Sequence, residues 1–278
     1  MAESAALRRR LTTQLRRMRS KAGLTQREVA DTLYWSPSKV IRIEQGTVRI
    51  TPTDLQALLR LYGVSDQTVV DELIMMARSS KKLPFAEYKE IISVEAVRYF
   101  QYEANASVIR QVTPILVPGL LQIEEYTRAL LEAYGTAANR VDKLVESRQE
   151  RQELFERADP PESRFILDEA VLRRTVGGPK VMTRQIEHLV EMSRRSDTTI
   201  QVLPFAVGAH SAMKGPFVHL EFPEENDPDV IFIENTLGDT LLRDDEEITA
   251  QYLEQFLTLE DIATPRDSFE KVAHASET

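Results

Sequence analysis

The chain of 278 residues contains no cysteine, and this absence excludes several kinds of site at once. Without thiols there can be no disulfide, no thiolate nucleophile and no cysteine-ligated zinc. Histidine is also scarce, with four residues left for acid–base chemistry or metal binding. The absence of cysteine fits a reducing compartment, which is where we expect this protein.

Long hydrophobic runs are missing as well. Since the sequence has no stretch of about 20 apolar residues, we expect no transmembrane helix and no membrane partner. The first ten residues end in three consecutive arginines and lack the apolar core of a signal peptide. These observations predict a cytoplasmic protein. Its hydrophobic content of 42% is enough for a buried core, and its length predicts two domains.

The net charge of −9 is divided unevenly along the chain. Residues 1–80 hold 13 Lys and Arg against 8 Asp and Glu, which gives +5, whereas the remaining residues hold 22 against 36, which gives −14. A basic module of this kind can bind DNA, while the acidic part is kept away from the duplex or serves another partner.

Residues 23–46 carry the strongest local pattern, GLTQREVADTLYWSPSKVIRIEQG. Thr25, followed three residues later by Glu28, has the spacing of a capping box, which starts a helix. Ser36 as the N-cap and Pro37 at the first helical position start a second helix, and Gly46 ends it. The pattern predicts two short helices joined by a tight turn.

The second of these helices is expected to bury one face and expose the other. Val40 and Ile43 point one way at helical spacing, while Ser38, Lys39 and Arg42 fall on the opposite side. One hydroxyl and two cations suit the major groove of DNA. The alternative is that this face is only the solvated side of a helical scaffold, which is the better interpretation for Lys39 or Arg42 taken alone.

Three segments share a register: Gly-Leu-Thr-Gln at 23–26, Trp-Ser-Pro-Ser-Lys-Val at 35–40 and Ile-Glu-Gln-Gly at 43–46. With them, residues 6–77 resemble the helix-turn-helix of the XRE type, the fold of lambda-like phage repressors. The resemblance implies a sequence-specific DNA-binding domain and a structural ion pair between Arg19 and Glu44. Tyr34 departs from the family, since many relatives have a small or polar residue at this turn position. We expect local strain or a different turn there.

The same resemblance assigns DNA contacts by position. The residues expected to hold phosphates are Gln26, Ser36, Lys39 and Arg49. The residues expected to face base edges are Pro37, Ser38 and Arg42. Phosphate contacts fix the register of a protein on the duplex, and base-edge contacts carry the sequence information.

Apolar residues at helical spacing predict three further helices in this part of the chain, over residues 5–22, 52–62 and 66–78. We therefore expect residues 1–80 to form an all-α, five-helix, lambda-repressor-like DNA-binding domain. The polar and cationic stretch at residues 79–84, which Pro84 ends, is the predicted boundary.

Residues 81–278 are expected to form a second, acidic domain. It begins with a predicted long helix over residues 85–104, a candidate dimer element. Strands are predicted at residues 108–113, 164–168, 199–204, 217–222 and 230–234, and helices at 123–134, 137–157, 179–194 and 245–260. This mixture predicts an α+β domain with a mixed sheet flanked by helices.

An apolar loop bracketed by prolines occupies residues 114–122. It has two interpretations. We favour a buried connection whose path the prolines and Gly119 fix. The other interpretation makes its leucines part of an apolar pocket or a partner surface.

Several motifs mark the second domain, among them Leu-Val-Pro-Gly-Leu-Leu-Gln at 116–122, Leu-Asp-Glu-Ala-Val-Leu-Arg-Arg at 167–174, Gln-Val-Leu-Pro-Phe at 201–205 and Gly-Pro-Phe at 215–217. With these motifs, residues 85–262 resemble the uncharacterised domain that follows an XRE module in many actinobacterial regulators. Those regulators are similar to antitoxins and are often encoded beside a small protein that counteracts them. The resemblance implies a regulator controlled by a small partner protein encoded nearby.

A serine–lysine dyad is the first alternative chemistry. Ser211 and Lys214 would give a self-cleaving peptidase, but such a dyad needs a serine placed against a desolvated lysine. The loop at residues 210–215 instead has the composition of an exposed loop. We expect no catalytic residue and no enzymatic activity.

A metal site is the second alternative. It would need His188, His210 and His219 to come together, with Glu191 or Glu221 in support, and the sequence shows no tight ligand spacing. Lone histidines more often serve structure. We expect no metal and no cofactor.

The sequence thus predicts a sequence-specific DNA-binding regulator, a repressor-like homodimer that reads an inverted repeat. A small partner protein or a ligand would control it through the C-terminal domain. The alternative is that the C-terminal domain is an enzyme and that the DNA-binding module localises it or autoregulates its gene. A deep pocket of converging polar groups would favour the enzyme, and a flat apolar patch would favour a protein partner.

Overall fold

The computed structural model describes residues 2–79, 84–223, 228–235, 238–243 and 245–275. The chain divides into two compact units, one of residues 1–87 with 100–105 and the other of residues 88–99 with 106–278. Most of the stretch predicted as the boundary, residues 80–83, lies outside the described residues. No helix among the described residues is long and apolar enough to cross a membrane.

The first unit contains the five predicted helices. They are α1 (Ala2–Lys21), α2 (Gln26–Leu33), α3 (Pro37–Glu44), α4 (Pro52–Leu61) and α5 (Gln67–Ser79). Each contributes fully or almost fully buried apolar residues to one core, for example Leu15, Val29, Val40, Leu58 and Leu73. The helical periodicity of the sequence therefore identified core residues on each helix.

The predicted capping box starts α2. The Glu28 backbone N–H donates to Thr25 Oγ1 over 3.2 Å, and the Thr25 backbone N–H donates to Glu28 Oε2 over 2.8 Å. The bonds from the Thr25 backbone and then from its side chain lower the pKa of the Glu28 carboxyl. Thr51 caps α4 in a related way, because its hydroxyl accepts from the Asp54 N–H over 3.1 Å. These local bonds fix where the helices begin.

The prediction of one long helix over residues 85–104 is wrong. The chain forms a single 3₁₀ turn at Ala86–Tyr88 and then, after a break, α6 at Val94–Glu103. Phe85 has a left-handed backbone with φ of 60°, which no helix interior tolerates. Ser93 starts α6 afresh, since its Oγ accepts from the Ala96 N–H over 3.0 Å.

The second unit contains a six-stranded mixed sheet, which confirms the predicted α+β class. The strands are β1 (Val108–Thr113), β2 (Glu162–Asp168), β3 (Thr198–Leu203), β4 (Phe217–Glu221), β5 (Val230–Ile233) and β6 (Thr240–Arg243). Their order is β3-β2-β1-β4-β5-β6. The β3-β2-β1 half is parallel, and the β1-β4-β5-β6 half is antiparallel. β6 was not predicted, because its sequence, Thr-Leu-Leu-Arg, does not alternate between polar and apolar residues. In the structure all four residues are half-buried.

Helices flank this sheet. They are α7 (Glu124–Ala133), α8 (Ala138–Gln152), α9 (Glu169–Arg173), α10 (Pro179–Ser193), α11 (Glu246–Ile262) and α12 (Phe269–Ala275). The short helices α9 and α12 were not predicted. Phe256 and Leu259 of α11 are fully buried in a core cluster with Val112, Ile166 and Phe217 of the sheet. The apolar core of the unit thus lies between α11 and the sheet at this point.

The loop at residues 114–122 is a buried connection held by a glutamine. Val117, Leu120 and Leu121 are almost fully buried. Gln185 of α10, itself fully buried, accepts from the Ile123 N–H over 2.9 Å and donates from Nε2 to the Leu121 carbonyl over 2.7 Å. These contacts support the favoured interpretation of the loop.

We predict that Gln185→Leu lowers the free energy of unfolding by about 2–4 kcal/mol, because two buried backbone groups each lose a partner and such losses cost about 1–3 kcal/mol apiece. Urea denaturation of the full chain measures the change. Gln251→Leu, at an exposed position of α11, is the matched control and should shift stability by less than about 0.5 kcal/mol. Equal effects of the two substitutions would contradict the role of Gln185.

Candidate nucleic-acid interface

Three residues, Tyr34, Trp35 and Ser36, link α2 to α3. Tyr34 has φ of 56° and ψ of 37°, a left-handed conformation, and its side chain is 96% exposed. The Trp35 N–H returns to the Ala30 carbonyl over 2.8 Å and closes the turn. A left-handed conformation costs an ordinary L-residue about 1–2 kcal/mol. Tyr34 departs from the residue types common in the family, and its backbone therefore adopts the strained left-handed conformation. The turn itself is not of a different kind.

α3 begins at the predicted residue, but the Ser36 side chain does not cap it. Ser36 is the N-cap residue and Pro37 occupies the first turn, as predicted. The Ser36 hydroxyl makes no capping bond and lies 3.2 Å from the Ser38 hydroxyl instead. Both hydroxyls are exposed, so they remain accessible on the outer face of the helix.

The outer face of α3 is polar and the inner face is fully buried. Val40 and Ile43 pack in the core, whereas Pro37, Ser38 and Arg42 are exposed. Arg42 Nε donates to the Ser38 carbonyl one turn earlier over 3.1 Å. The three residues predicted to face base edges therefore share one solvent-accessible surface.

Lys39, a predicted phosphate contact, already has two partners within the unit. Its Nζ lies 3.0 Å from Asp54 Oδ1 and 3.7 Å from the centroid of the Trp35 ring. The side chain is 35% exposed. A phosphate contact from Lys39 stays a prediction, and it requires the ammonium group to exchange Asp54 for the phosphate or to bind both.

A buried carboxylate, Glu44, joins four helical segments. Arg19 of α1 donates to it twice, from Nε to Oε1 over 2.8 Å and from Nη2 to Oε2 over 3.1 Å. Gln26 of α2 donates to Oε2 over 2.9 Å, and Tyr62, at the end of α4, donates to Oε1 over 3.5 Å. Glu44 is fully buried and the Arg19 side chain is 7% exposed. The ion pair that the resemblance implied is present.

The cluster around Glu44 alters the pKa of Tyr62 and engages the side-chain amide of Gln26. Burial raises the pKa of the Tyr62 phenol well above its ordinary value, and the negative charge of Glu44 raises it further. Gln26 is 7% exposed, with its amide directed at Glu44. A phosphate contact from Gln26 stays a prediction, and it requires the amide to be shared with or released from this carboxylate.

Two arginines lie close to the end of α3. Arg8 of α1 is buried, and its Nη1 donates to the Gly46 carbonyl over 3.5 Å. Burial lowers the pKa of Arg8 to about 10, with the positive charge of Arg49 as the second cause. Arg49 itself is exposed, so its guanidinium is accessible to an anion. We did not single out Arg8 from the sequence, because only the fold shows that this residue of α1 lies beside the end of α3.

Comparison with known families separates the two parts of the chain. A helix-turn-helix domain model matches residues 10–73, which include α2, the turn and α3. A second family model, the domain of unknown function DUF5753, matches residues 97–272, which is more than half of the chain. The chain belongs to this family. The helix-turn-helix match further identifies it as a DNA-binding regulator. Searches of curated proteins and of solved structures gave no match.

The DUF5753 domain does not assemble the serine–lysine arrangement considered above. Ser211 and Lys214 lie in one short 3₁₀ helix, Ser211–Lys214, and Lys214 is exposed. A lysine that acts as a base needs a desolvated environment. The structure thus offers no support for a dyad at these two residues.

The three histidines considered as metal ligands each lie beside a different carboxylate. His188 Nδ1 is 4.0 Å from Glu191 Oε2, His210 Nε2 is 3.2 Å from Asp168 Oδ2, and His219 Nε2 is 3.0 Å from Asp229 Oδ2. The fold therefore does not bring these histidines together. It does place Glu221, one of the two supporting carboxylates considered, near His219.

A partly open crevice of about 230 Å³ lies beside α7, α8 and α10. Its lining combines polar side chains, among them Gln122, Glu124, Arg148 and His188, with apolar surface from residues such as Ile123 and Val145. Burial lowers the pKa of the His188 imidazole, although the charge of Glu191 opposes the shift. This crevice is the candidate for a small ligand in the DUF5753 domain.

We predict that Glu44→Ala lowers the free energy of unfolding by about 3–5 kcal/mol, since removal of one partner leaves the buried Arg19 charge uncompensated. Thermal and urea denaturation measure the loss. Glu72→Ala is the matched control, because it breaks the exposed ion pair with Arg10, which is worth less than about 1 kcal/mol. A stability loss no larger than that of the control would show that Glu44 does not hold the helices together.

We also predict that Tyr34→Asn raises the free energy of unfolding by about 0.5–1 kcal/mol, since asparagine tolerates the left-handed conformation better. Tyr34→Ala is the control, because alanine removes the same exposed ring and keeps the strain. Urea denaturation of the two variants distinguishes relief of backbone strain from loss of the ring. Stabilisation of the same size by alanine would contradict the strain argument.

Proposed function

We propose that this protein is a sequence-specific transcription regulator of the XRE type, with α3 as the recognition helix. The observation that carries the proposal is the contrast between the two faces of α3. One face is fully buried, and the other exposes Pro37, Ser38 and Arg42 directly after a three-residue link. A helix held in this way presents a rigid polar surface to a major groove.

Arg42 is the proposed reader of base edges. A guanidinium has five N–H donors in a planar fork that fits the O6 and N7 acceptors of guanine. The bond from Nε to the Ser38 carbonyl uses one of these donors and holds the side chain across the outer face of α3. Ser38, one turn earlier, is the proposed contact to a neighbouring base.

The phosphate contacts are proposed for Gln26, Ser36, Lys39 and Arg49. Ser36 and Arg49 are exposed and need no rearrangement. Lys39 would exchange its contact with Asp54, and Gln26 would share its amide with Glu44. The cationic contacts, from Lys39 and Arg49, would release counterions and so make affinity depend on salt without selecting a sequence.

We further propose that the regulator is a cytoplasmic homodimer, with residues 1–80 as the DNA-binding domain and residues 81–278 as the regulatory domain. Two recognition helices about 34 Å apart would read the halves of an inverted repeat. The charges of +5 and −14 on the two parts support this division, since the basic part suits the duplex.

Control of the regulator is proposed to act through the DUF5753 domain. A small partner protein encoded nearby, as in antitoxin-like regulators, or a ligand in the crevice beside Arg148 and His188 would change the dimer geometry. The energy required is modest, because a coupling of about 1–3 kcal/mol changes DNA affinity about 5-fold to 150-fold. Repression is the proposed outcome of DNA binding.

The experiment that tests the proposal is an in vitro selection of random duplexes by the purified full chain. We expect enrichment of an inverted repeat whose half-sites lie about one helical turn apart. Enrichment of a single, unrepeated site would contradict the proposed homodimer but would still support α3 as the recognition helix. Absence of any enrichment, from protein shown to be folded, would contradict a regulator that binds its operator unaided.

On the selected site, we predict that Arg42→Ala costs about 1–3 kcal/mol of binding free energy and relaxes the preference at one base pair. Arg49→Ala is the matched arginine control and should weaken all sequences alike, with a salt slope flatter by about one. Fluorescence anisotropy titrations at several salt concentrations measure both effects. If the two variants behave alike, Arg42 is not a reader of bases.

A further inference from the structure

We propose that His219, Glu221 and Asp229 bind a divalent transition-metal ion within the DUF5753 domain. One ligand atom from each of these residues, an imidazole nitrogen or a carboxylate oxygen, lies within 4.8 Å of the other two. Among the described residues this is the group of histidine and carboxylate side chains with such spacing. The site is separate from the helix-turn-helix and independent of the function proposed for it.

The fold explains why these three residues meet. His219 and Glu221 are two residues apart on β4, so their side chains lie on the same face of the sheet. β5 runs antiparallel to β4, with Ile231 opposite His219 and Val230 opposite Leu220. The same register places Asp229, which directly precedes β5, opposite Glu221. Strand pairing therefore brings the third ligand to the first two.

His219 supplies the observation that points to an ion. The residue is fully buried, and neither ring nitrogen makes a hydrogen bond to the described residues. Nε2 lies only 3.0 Å from Asp229 Oδ2, yet the two groups are not aligned as donor and acceptor. Buried polar groups are almost always satisfied, so this arrangement requires an explanation.

The spacing of His219 and Asp229 is close to that of two ligands on one metal ion. Zinc binds imidazole nitrogen and carboxylate oxygen at about 2.0–2.2 Å, so two ligands on one tetrahedral ion lie roughly 3.3–3.6 Å apart. Nε2 and Oδ2 are 3.0 Å apart, so the two side chains need to separate by only a few tenths of an ångström to share an ion. In such a site both lone pairs point to the ion and not to each other, which accounts for the missing hydrogen bond.

Arg110 places a positive charge beside the proposed metal site, and it also contacts one of the three ligands. It lies opposite His219 on β1, and its Nη1 donates to Glu221 Oε1. The positive charge disfavours a nearby cation, but the two carboxylates carry one more charge than Arg110 neutralises. The bond to Oε1 leaves Glu221 Oε2 for the ion and fixes the carboxylate, as outer-sphere partners of metal ligands commonly do.

The ligand set selects the class of ion. One imidazole and two carboxylates form a mixed nitrogen and oxygen set, which suits Zn²⁺ with water in the remaining position. Mg²⁺ and Ca²⁺ prefer oxygen ligands throughout. Bound there, the ion would tie the end of β4 to the start of β5 and stabilise the antiparallel half of the sheet.

The test is equilibrium dialysis of the chelator-treated full chain against Zn²⁺, with the bound metal measured by mass spectrometry. We expect one zinc ion per chain and a higher melting temperature with zinc, as ligand binding to the folded state requires. Asp229→Asn should weaken binding by at least about tenfold. Glu221→Gln is the second variant, and both side chains are partly exposed, so the substitutions are compatible with folding.

Asp168→Asn is the matched control, because Asp168 accompanies the other buried histidine, His210. Asparagine keeps the capping bond that Asp168 accepts from the Ala170 N–H. The control should bind zinc as the original chain does. Absence of stoichiometric zinc from folded protein would overturn the proposal. Equal zinc binding by Asp229→Asn and Asp168→Asn would also overturn it and would assign the metal to adventitious surface sites.

Discussion

The buried carboxylate of Glu44 is the constraint on which the DNA-binding unit depends. Burial of an isolated charge is prohibitive, so Glu44 is tolerated only while its donors surround it. Those donors come from α1, from α2 and from the residue that ends α4. A helix that rotates or slides removes a donor from a charge that cannot reach water. The carboxylate thus fixes the position of α3, and with it the direction in which the outer face points.

The same constraint divides the predicted DNA contacts into two groups. Pro37, Ser38, Arg42 and Arg49 lie at the surface and do not contribute to the Glu44 cluster. Gln26 and Lys39 already contact Glu44 and Asp54. The first group can therefore change without disturbing the Glu44 cluster. In the second group, any contact with DNA would also change a contact inside the unit.

The sequence predicted most of the fold because its signals were local. Capping residues and helical periodicity gave the five helices, and short apolar runs gave five of the six strands. The break before α6 was missed because apolar residues continue at helical spacing through residues 85–104, and no proline or internal glycine interrupts them. The group of His219, Glu221 and Asp229 was not predicted, and the sequence led us to expect no metal site. The first two lie two residues apart, but Asp229 joins them through the pairing of β4 with β5, which no local pattern encodes.

The contact between Lys39 and Trp35 has an optical consequence. Trp35 is the only tryptophan in the chain, so the intrinsic indole emission of the whole protein comes from one ring beside α3. An ammonium group 3.7 Å from the centroid of that ring is close enough to influence its emission. If Lys39 leaves Asp54 for a phosphate, the charge above the ring moves. The protein therefore carries its own fluorescent reporter at the surface proposed to meet DNA, and the occupancy of that surface can be followed without a label.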